Sequence, residues 1–312
     1  MKRDTTLDYL RGVAILSIVI GHLYFFSGRA DNSIVWNICN SLQIPIFIYV
    51  SGQLASKSIQ RYSFKELLNN RIIRLIIPFI SFFLLWLCLH GITSDNAITF
   101  IFDEFKQGFW FLIVLFELMV ILALNHFISQ KCNINRIVFD FLALLIISIY
   151  HFTEKDLNYI NRALSLNLLW HYYPIFLLGI YSKNISLIFK AKLFLGYFAI
   201  YCIAFYFFFF KDIHIILAIC NLSSLLFFVS IFYNSFKIAE PFFVKAGQFS
   251  LEIYLLHILI LSTMGNHIPV IENRWIEAIC YFFFASIICI LLIIVSSVLK
   301  RNKVVNQLLF GA

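Results

Sequence analysis

The chain has 312 residues, of which 62% are apolar and only 13% are charged, and its formal net charge is +8. Soluble domains usually contain about 45–50% apolar and about 25% charged residues, so this composition excludes a soluble enzyme, a disordered chain and a small secreted disulfide module. The mean hydropathy of +0.89 predicts an integral membrane protein instead. Segments such as 201–210 and 285–295 are apolar without alternation, which favours membrane helices over barrel strands.

Polar clusters divide the chain into ten apolar segments, most of them close to the roughly 20 residues that a helix needs to cross a bilayer. The predicted spans are 10–27, 34–54, 72–89, 108–124, 137–150, 166–182, 193–210, 213–233, 250–264 and 276–299. They predict an all-α, polytopic transmembrane helical bundle in which residues 1–312 form a single domain, with no separate soluble domain. The first span is expected to be retained, because Arg11 and His22 make it a poor signal peptide.

The distribution of lysine and arginine predicts the orientation of the chain. If the N-terminus is cytoplasmic, about three quarters of the 24 Lys and Arg residues fall on the cytoplasmic side. Cationic loops resist translocation, so both termini are predicted to be cytoplasmic. The positive net charge then follows from topology and does not indicate a nucleic-acid partner.

The seven cysteines indicate neither a disulfide framework nor a metal site, because their number is odd and no Cys-x-x-Cys occurs. Six of them lie within or beside apolar runs. We expect them to be small packing residues.

The first span contains two ionisable residues, which are costly in a membrane and therefore indicate function. Arg11 and His22 are eleven residues apart in LDYLRGVAILSIVIGH. In a helix this spacing places them on one face, about 16 Å apart along the axis. A neutral imidazole at His22 can take a proton from a hydroxyl and return it to a leaving thiolate. An interhelical hydrogen bond or a place near the far interface is the alternative reading.

The third span begins with NNRIIRLIIPF, in which Arg71 and Arg74 are three residues apart. This spacing places both guanidinium groups on one helix face, where they can bind phosphate in forked geometry. Pro78 follows within the span and can kink the helix. An ordinary positive-inside flank, with side chains that reach the interface, explains the same pattern.

Other polar residues in the spans give weaker signals. Glu117 is the clearest buried carboxylate, Trp110 precedes it as an interfacial anchor, and Ser51 lies at the inner end of the second span. Tyr254 and His257 lie in AGQFSLEIYLLH. Packing or interhelical hydrogen bonding accounts for each of them equally well.

Five segments resemble, in order, the motifs of the acyltransferase 3 family, which are bacterial integral membrane O-acyltransferases typically built on about ten helices. The segments are LDYLRGVAILSIVIGH, NNRIIRLIIP, GFWFLIVL, HYYPIFLLGIY and AGQFSLEIYLLH. The first, with arginine, ten residues and histidine, and the last are the specific ones. The chain resembles the short, membrane-only subgroup, which modifies envelope sugars.

The resemblance implies transfer of an acyl group, commonly acetyl, from cytoplasmic acyl-CoA to a sugar hydroxyl at a bacterial inner membrane. It implies that His22 is the essential histidine and that Arg11, Arg71 and Arg74 serve the acyl donor. Acetyl-CoA is then a co-substrate, and no permanently bound cofactor or metal is expected. The expected partners are acyl-CoA, an envelope saccharide or lipid-linked sugar, and membrane lipid, without nucleic acid.

The chemistry of the step remains open between direct transfer with His22 as general base and an acyl-histidine intermediate. The developing oxyanion needs hydrogen-bond donors. Tyr254, Ser51 and Trp110 are candidates for them, and Glu117 and His257 are further supporting candidates.

Two other functions fit a cationic membrane protein of this kind. One is a polysaccharide exporter that binds an anionic saccharide without acyl transfer. The other is a glycosyltransferase that uses a polyprenyl-phosphate sugar, but such an enzyme needs an acidic pair in its first outer loop, where only Asp31 lies.

Overall fold

A computed structural model describes residues 5–30, 33–153, 159–182, 193–209, 217–234 and 240–312. Within these ranges all regular secondary structure is helical, so the all-α prediction is confirmed there. Asp31 lies outside the described residues. So do several of the cations on which the predicted orientation rests: Lys2, Arg3, Lys155, Lys183, Lys190, Lys192, Lys211 and Lys237.

The described chain forms fifteen α-helices. They are α1 (Thr5–Phe26), α2 (Ile34–Ser58), α3 (Phe64–Arg71), α4 (Ile77–His90), α5 (Ser94–Phe102), α6 (Trp110–Cys132), α7 (Arg136–Thr153), α8 (Tyr159–Leu164), α9 (Asn167–Tyr181), α10 (Phe194–Phe209), α11 (Leu217–Asn234), α12 (Glu240–Gln248), α13 (Ser250–Met264), α14 (Arg274–Leu299) and α15 (Lys303–Phe310). A π-helical segment, Ile72–Ile76, joins α3 to α4.

Six of the described helices are long and apolar enough to cross a membrane: α1, α2, the joined helix Phe64–His90, α6, α7 and α14. The pair α12 and α13, bent by 80°, forms a seventh if it is one broken span. Helices α9, α10 and α11 correspond to the predicted spans 166–182, 193–210 and 213–233 but do not meet this standard over their described residues. The described chain therefore has six or seven candidate membrane-spanning helices, whereas ten spans and cytoplasmic termini remain predictions.

The chain divides into two compact units. The first unit comprises residues 1–50 and 182–299, and the second comprises residues 51–181 and 300–312. In the first unit α1 is the central helix, because α11, α12, α13 and α14 all pack against it. In the second unit α6 contacts α3, α7 and α9, and α15 packs on α4.

Buried hydrogen bonds connect the helices of each unit. In the first unit the Ser41 and Tyr201 hydroxyls are 2.9 Å apart, and the Ser224 hydroxyl donates to the Ser41 carbonyl at 2.6 Å. In the second unit Asp140 is fully buried and accepts hydrogen bonds from Asn125 and Arg136. Buried polar groups satisfied in this way fix helix register in an otherwise apolar interior.

Candidate active site

His22 and His257 form a hydrogen-bonded pair in the first unit. His22 Nδ1 lies 2.8 Å from His257 Nε2, and the two rings stack with centroids 4.9 Å apart and an interplanar angle of 16°. His257 is fully buried and His22 is partly buried. The structure therefore brings together the expected reactive histidine and one of its supporting candidates, which are 235 positions apart in the sequence.

The hydrogen bonds of His257 determine the tautomer of His22. His257 Nδ1 lies 2.8 Å from the Ile253 carbonyl, which can only accept a hydrogen bond, so Nδ1–H is the donor. In a neutral imidazole the other nitrogen, His257 Nε2, is then an acceptor, and His22 Nδ1–H must donate to it. This arrangement leaves the Nε2 lone pair of His22 available to accept a proton.

Two glycines bring the backbones of α1 and α12 together and thereby set the position of α13. A Cβ atom on Gly247 would lie 1.7 Å from the Asp8 carbonyl oxygen, and one on Gly12 would lie 1.9 Å from the Phe243 carbonyl oxygen. Only glycine permits so close an approach. The chain then bends by 80° between α12 and α13, and α13 packs along α1 so that His257 meets His22.

Arg11 lies on the same helix as His22, since α1 is continuous from Thr5 to Phe26. Its Nη1 is 3.9 Å from the carboxylate of Asp8, which is buried. The structure thus confirms the shared helix that the sequence predicts and places a carboxylate beside the arginine. Whether Arg11 serves a donor remains a proposal.

Arg71 and Arg74 line one pocket in the second unit, of about 220 Å³. Its other described lining residues come from the end of α2, the following turn and α3: Lys57, Ser58, Arg61, Tyr62, Leu67 and Asn70. The lining therefore contains four cationic side chains and, among the described residues, no carboxylate. We call this the cationic pocket.

Local structure explains how the cationic pocket forms. Ser63 and Glu66 form a reciprocal capping box that begins α3 directly after the turn. The π-helical segment Ile72–Ile76 then separates Arg71 from Pro78, which lies in the first turn of α4. The Ile77 amide donates to the Ile72 carbonyl in this wider turn, so the backbone irregularity lies directly before the proline.

Arg71 is only partly satisfied by the protein. Its Nη2 donates to the Ser58 hydroxyl at 3.0 Å, whereas its buried Nε has no hydrogen-bond partner among the described residues. Arg74 is exposed. Lys57 and Arg61 are not among the residues predicted from sequence, although two cationic side chains at the end of α2 and in the following turn indicate an anion site.

The remaining candidate residues are divided between the two units. Glu117 lies within α6 and has one buried carboxylate oxygen without a hydrogen-bond partner in the described structure. Trp110 begins α6 and stacks on Tyr172, with ring centroids 5.5 Å apart. Ser51 is buried in the part of α2 that belongs to the second unit. In the first unit Tyr254 lies one turn before His257, with ring centroids 6.1 Å apart.

Lys106 lies in the loop before α6 and is almost completely buried. The sequence did not predict this burial, because a lysine in a loop is normally exposed to solvent. Its ammonium group donates hydrogen bonds to the backbone carbonyls of Asp103 and Arg162. Burial lowers the pKa of Lys106, and the carboxylates of Asp103 and Glu104 oppose that shift. Lys106 thus fixes the loop that begins α6.

The sequence model described as an acyltransferase domain, that of the acyltransferase 3 family, matches residues 4–294. The chain belongs to the acyltransferase 3 family. The match covers both units, and it includes the histidine pair and the cationic pocket.

Two proteins named Nodulation protein NolL resemble part of this acyltransferase domain. The protein from Sinorhizobium fredii is 31% identical over 112 residues, which cover 34% of this chain and 29% of the relative. The protein from Mesorhizobium japonicum is 27% identical over 104 residues, which cover 32% of this chain and 26% of the relative. The chain thus matches less than a third of the length of either relative. No solved structure matches it significantly.

Proposed function

We propose that the protein is a membrane O-acyltransferase that transfers an acetyl group from acetyl-CoA to a hydroxyl of a cell-envelope saccharide. The observation that carries this proposal is the hydrogen bond between His22 and His257, which leaves the Nε2 lone pair of His22 without a hydrogen-bond partner among the described residues. A neutral imidazole with one orienting partner is the arrangement that general-base catalysis of acyl transfer requires. The family supports acyl transfer, whereas the acetyl donor and the saccharide acceptor are our proposal.

In the proposed reaction His22 Nε2 removes the proton of the acceptor hydroxyl while the oxygen attacks the thioester carbonyl. The tetrahedral intermediate collapses with cleavage of the carbon–sulfur bond, and the imidazolium of His22 returns its proton to the leaving CoA thiolate. Throughout, His22 Nδ1–H keeps its hydrogen bond to His257 Nε2, which holds the ring and stabilises the transient positive charge.

The cationic pocket is proposed to bind the phosphate groups of the donor. Four cations around about 220 Å³, with an unsatisfied Nε on Arg71, suit a polyanion. A neighbouring cavity of about 640 Å³ shares Arg61, Tyr62 and Leu67 with the cationic pocket and has room for the nucleoside of CoA. Arg11 is proposed to add positive charge for the donor at its end of α1.

Mass spectrometry of envelope glycans tests the proposed function. Cells with the gene are expected to carry an additional acetyl group on a glycan, and cells that express His22→Ala at the same level are expected to lack it. Unmodified glycan that accumulates inside cells without the gene would instead support the exporter alternative and contradict acyl transfer.

Removing either arginine of the cationic pocket is expected to raise the KM for acetyl-CoA. A hydrogen bond to a charged group contributes about 1.5–3 kcal/mol, so Arg71→Ala and Arg74→Ala should each raise KM by about tenfold or more, with little change in kcat. Thiol release from acetyl-CoA by the purified protein measures both constants. Lys131→Ala removes the same charge from the exposed end of α6 and is the matched control.

A donor that lacks one phosphate tests whether Arg71 binds that phosphate or only helps to orient the protein in the membrane. With acetyl-dephospho-CoA the wild-type KM should rise, and Arg71→Ala should add little further increase if this arginine binds the missing phosphate. Equal KM values for the Arg71, Arg74 and Lys131 variants would contradict phosphate binding. The arginines would then only contribute to the orientation of the protein in the membrane.

A further inference from the structure

A second pocket in the first unit lies at the C-terminal end of α1, the end that carries His22. It has a volume of about 300 Å³ and is lined by residues of α1, the following loop, α2 and α14, including Tyr24, Arg29, Trp275 and Glu277. Tyr24 follows His22 by two positions, so it lies about 3 Å farther along α1 and its side chain points to a different face of the helix. The cationic pocket belongs to the other unit and shares no lining residue with it.

The pocket presents an aromatic face that the protein leaves uncovered. Trp275 is 78% exposed although it lines a cavity. Asn273 caps the start of α14 through hydrogen bonds from the Trp275 and Ile276 amides, at 3.0 and 3.2 Å, and this fixes the backbone that carries the indole. An exposed indole on a capped backbone is a stacking surface for a ring with a C–H face, as a pyranose has.

Arg29 and Glu277 form an ion pair beside the indole, and their contacts with each other and with the backbone are long. Glu277 is 4% exposed, yet its Oε1 is 3.6 Å from Arg29 Nε and 3.4 Å from the Ile271 amide. Arg29 Nε is buried and has no hydrogen-bond partner within the described structure, and its Nη2 reaches the Ile271 carbonyl only at 3.5 Å. Buried charged groups are normally better satisfied than this, so both side chains have capacity for a hydroxyl-rich ligand.

We infer that this pocket is the subsite that binds a sugar ring of the acceptor, which stacks on Trp275 while its hydroxyls bond Arg29 and Glu277. The inference rests on the proposed function and assigns it an acceptor site. The described lining contains two arginines, Arg29 and Arg274, and one carboxylate, so a neutral or acidic sugar suits the pocket and a cationic amino sugar does not. If the indole only anchored α14 in the membrane interface, neither the cavity nor the incompletely hydrogen-bonded pair of Arg29 and Glu277 would be needed beside it.

Saturation-transfer NMR without any acyl donor tests the binding itself. The probe is the oligosaccharide fraction of the producing cell's envelope polysaccharide, stripped of acyl groups with mild alkali, and the receptor is the full chain in nanodiscs. We expect saturation transfer to sugar C–H protons with the wild-type protein, loss of it with Trp275→Ala, and partial retention with Trp275→Phe. Ile276→Ala is the matched control, because Ile276 is the exposed neighbour on α14 and does not line the pocket.

Transfer kinetics provide the second readout. With the same oligosaccharides and acetyl-CoA, Trp275→Ala and Glu277→Gln should raise the KM for the oligosaccharide about tenfold or more, and leave the KM for acetyl-CoA unchanged. Binding that depends on Trp275 without any transfer would support the subsite and refute the proposed function. Transfer that proceeds normally in both variants, or equal losses in the Trp275 and Ile276 variants, would refute the subsite and leave the proposed function intact.

Discussion

Replacing His22 with alanine is expected to lower kcat for acetyl transfer by about 100-fold or more, because general-base catalysis contributes about 10²–10⁴-fold. His22 lines neither the cationic pocket nor the cavity beside it, so its loss should leave acetyl-CoA binding unchanged. Release of free thiol from acetyl-CoA measures the rate, and equilibrium binding of the donor measures affinity. His22→Gln, which keeps hydrogen bonding but cannot accept and return a proton, should be as inactive as His22→Ala.

The partner histidine should matter through its hydrogen bond rather than through its bulk. His257→Phe keeps an aromatic ring stacked on His22 and removes the Nε2 acceptor that fixes the tautomer. Loss of the partner that orients a metal-bound histidine typically costs about 10–100-fold, and we take the same range for this metal-free pair. We expect such a loss in kcat with an unchanged KM for acetyl-CoA. Full activity of His257→Phe would mean that the pair is a packing contact.

The second large effect is expected from Gly247→Ala. The new methyl group would lie 1.7 Å from the Asp8 carbonyl oxygen, and backbone cannot rotate away as a flexible side chain can. Helices α1 and α12 must therefore separate, at a cost of about 1–3 kcal/mol or more. The same displacement moves α13 and with it His257, so both the apparent Tm in detergent and kcat should fall.

Gly196→Ala is the matched control for this substitution. Gly196 lies in α10 of the same unit, and a Cβ atom there would have no heavy atom within 4 Å. Alanine favours helix over glycine by about 1 kcal/mol, so this variant should be as stable as the wild type or slightly more stable. Similar Tm values for the Gly247 and Gly196 variants would contradict the close approach of α1 and α12.

The helical class of the protein was predictable because it depends on composition and local pattern. Each predicted apolar segment corresponds to a described helix, and α1 runs without interruption through Arg11 and His22, as the eleven-residue spacing required. The lengths of the individual helices were less predictable, since α9, α10 and α11 are shorter or less apolar over their described residues than the membrane-span criterion requires. The bend before α13 depends on packing between α12 and α1, which no local pattern records.

The amino-acid sequence by itself determined the membrane class, the family motifs and the individual reactive side chains, because hydropathy and short-range spacing are local properties. Only the tertiary structure decided that His257 orients His22, that Lys57 and Arg61 complete the cationic pocket, and that Trp275 shares a cavity with Arg29. The histidine pair meets because Gly12 and Gly247 bring α1 and α12 together and the chain bends before α13, whereas Lys57 and Arg61 reach the arginines through the turn between α2 and α3. Their proximity is a property of packing, so it becomes visible only when the helices are assembled.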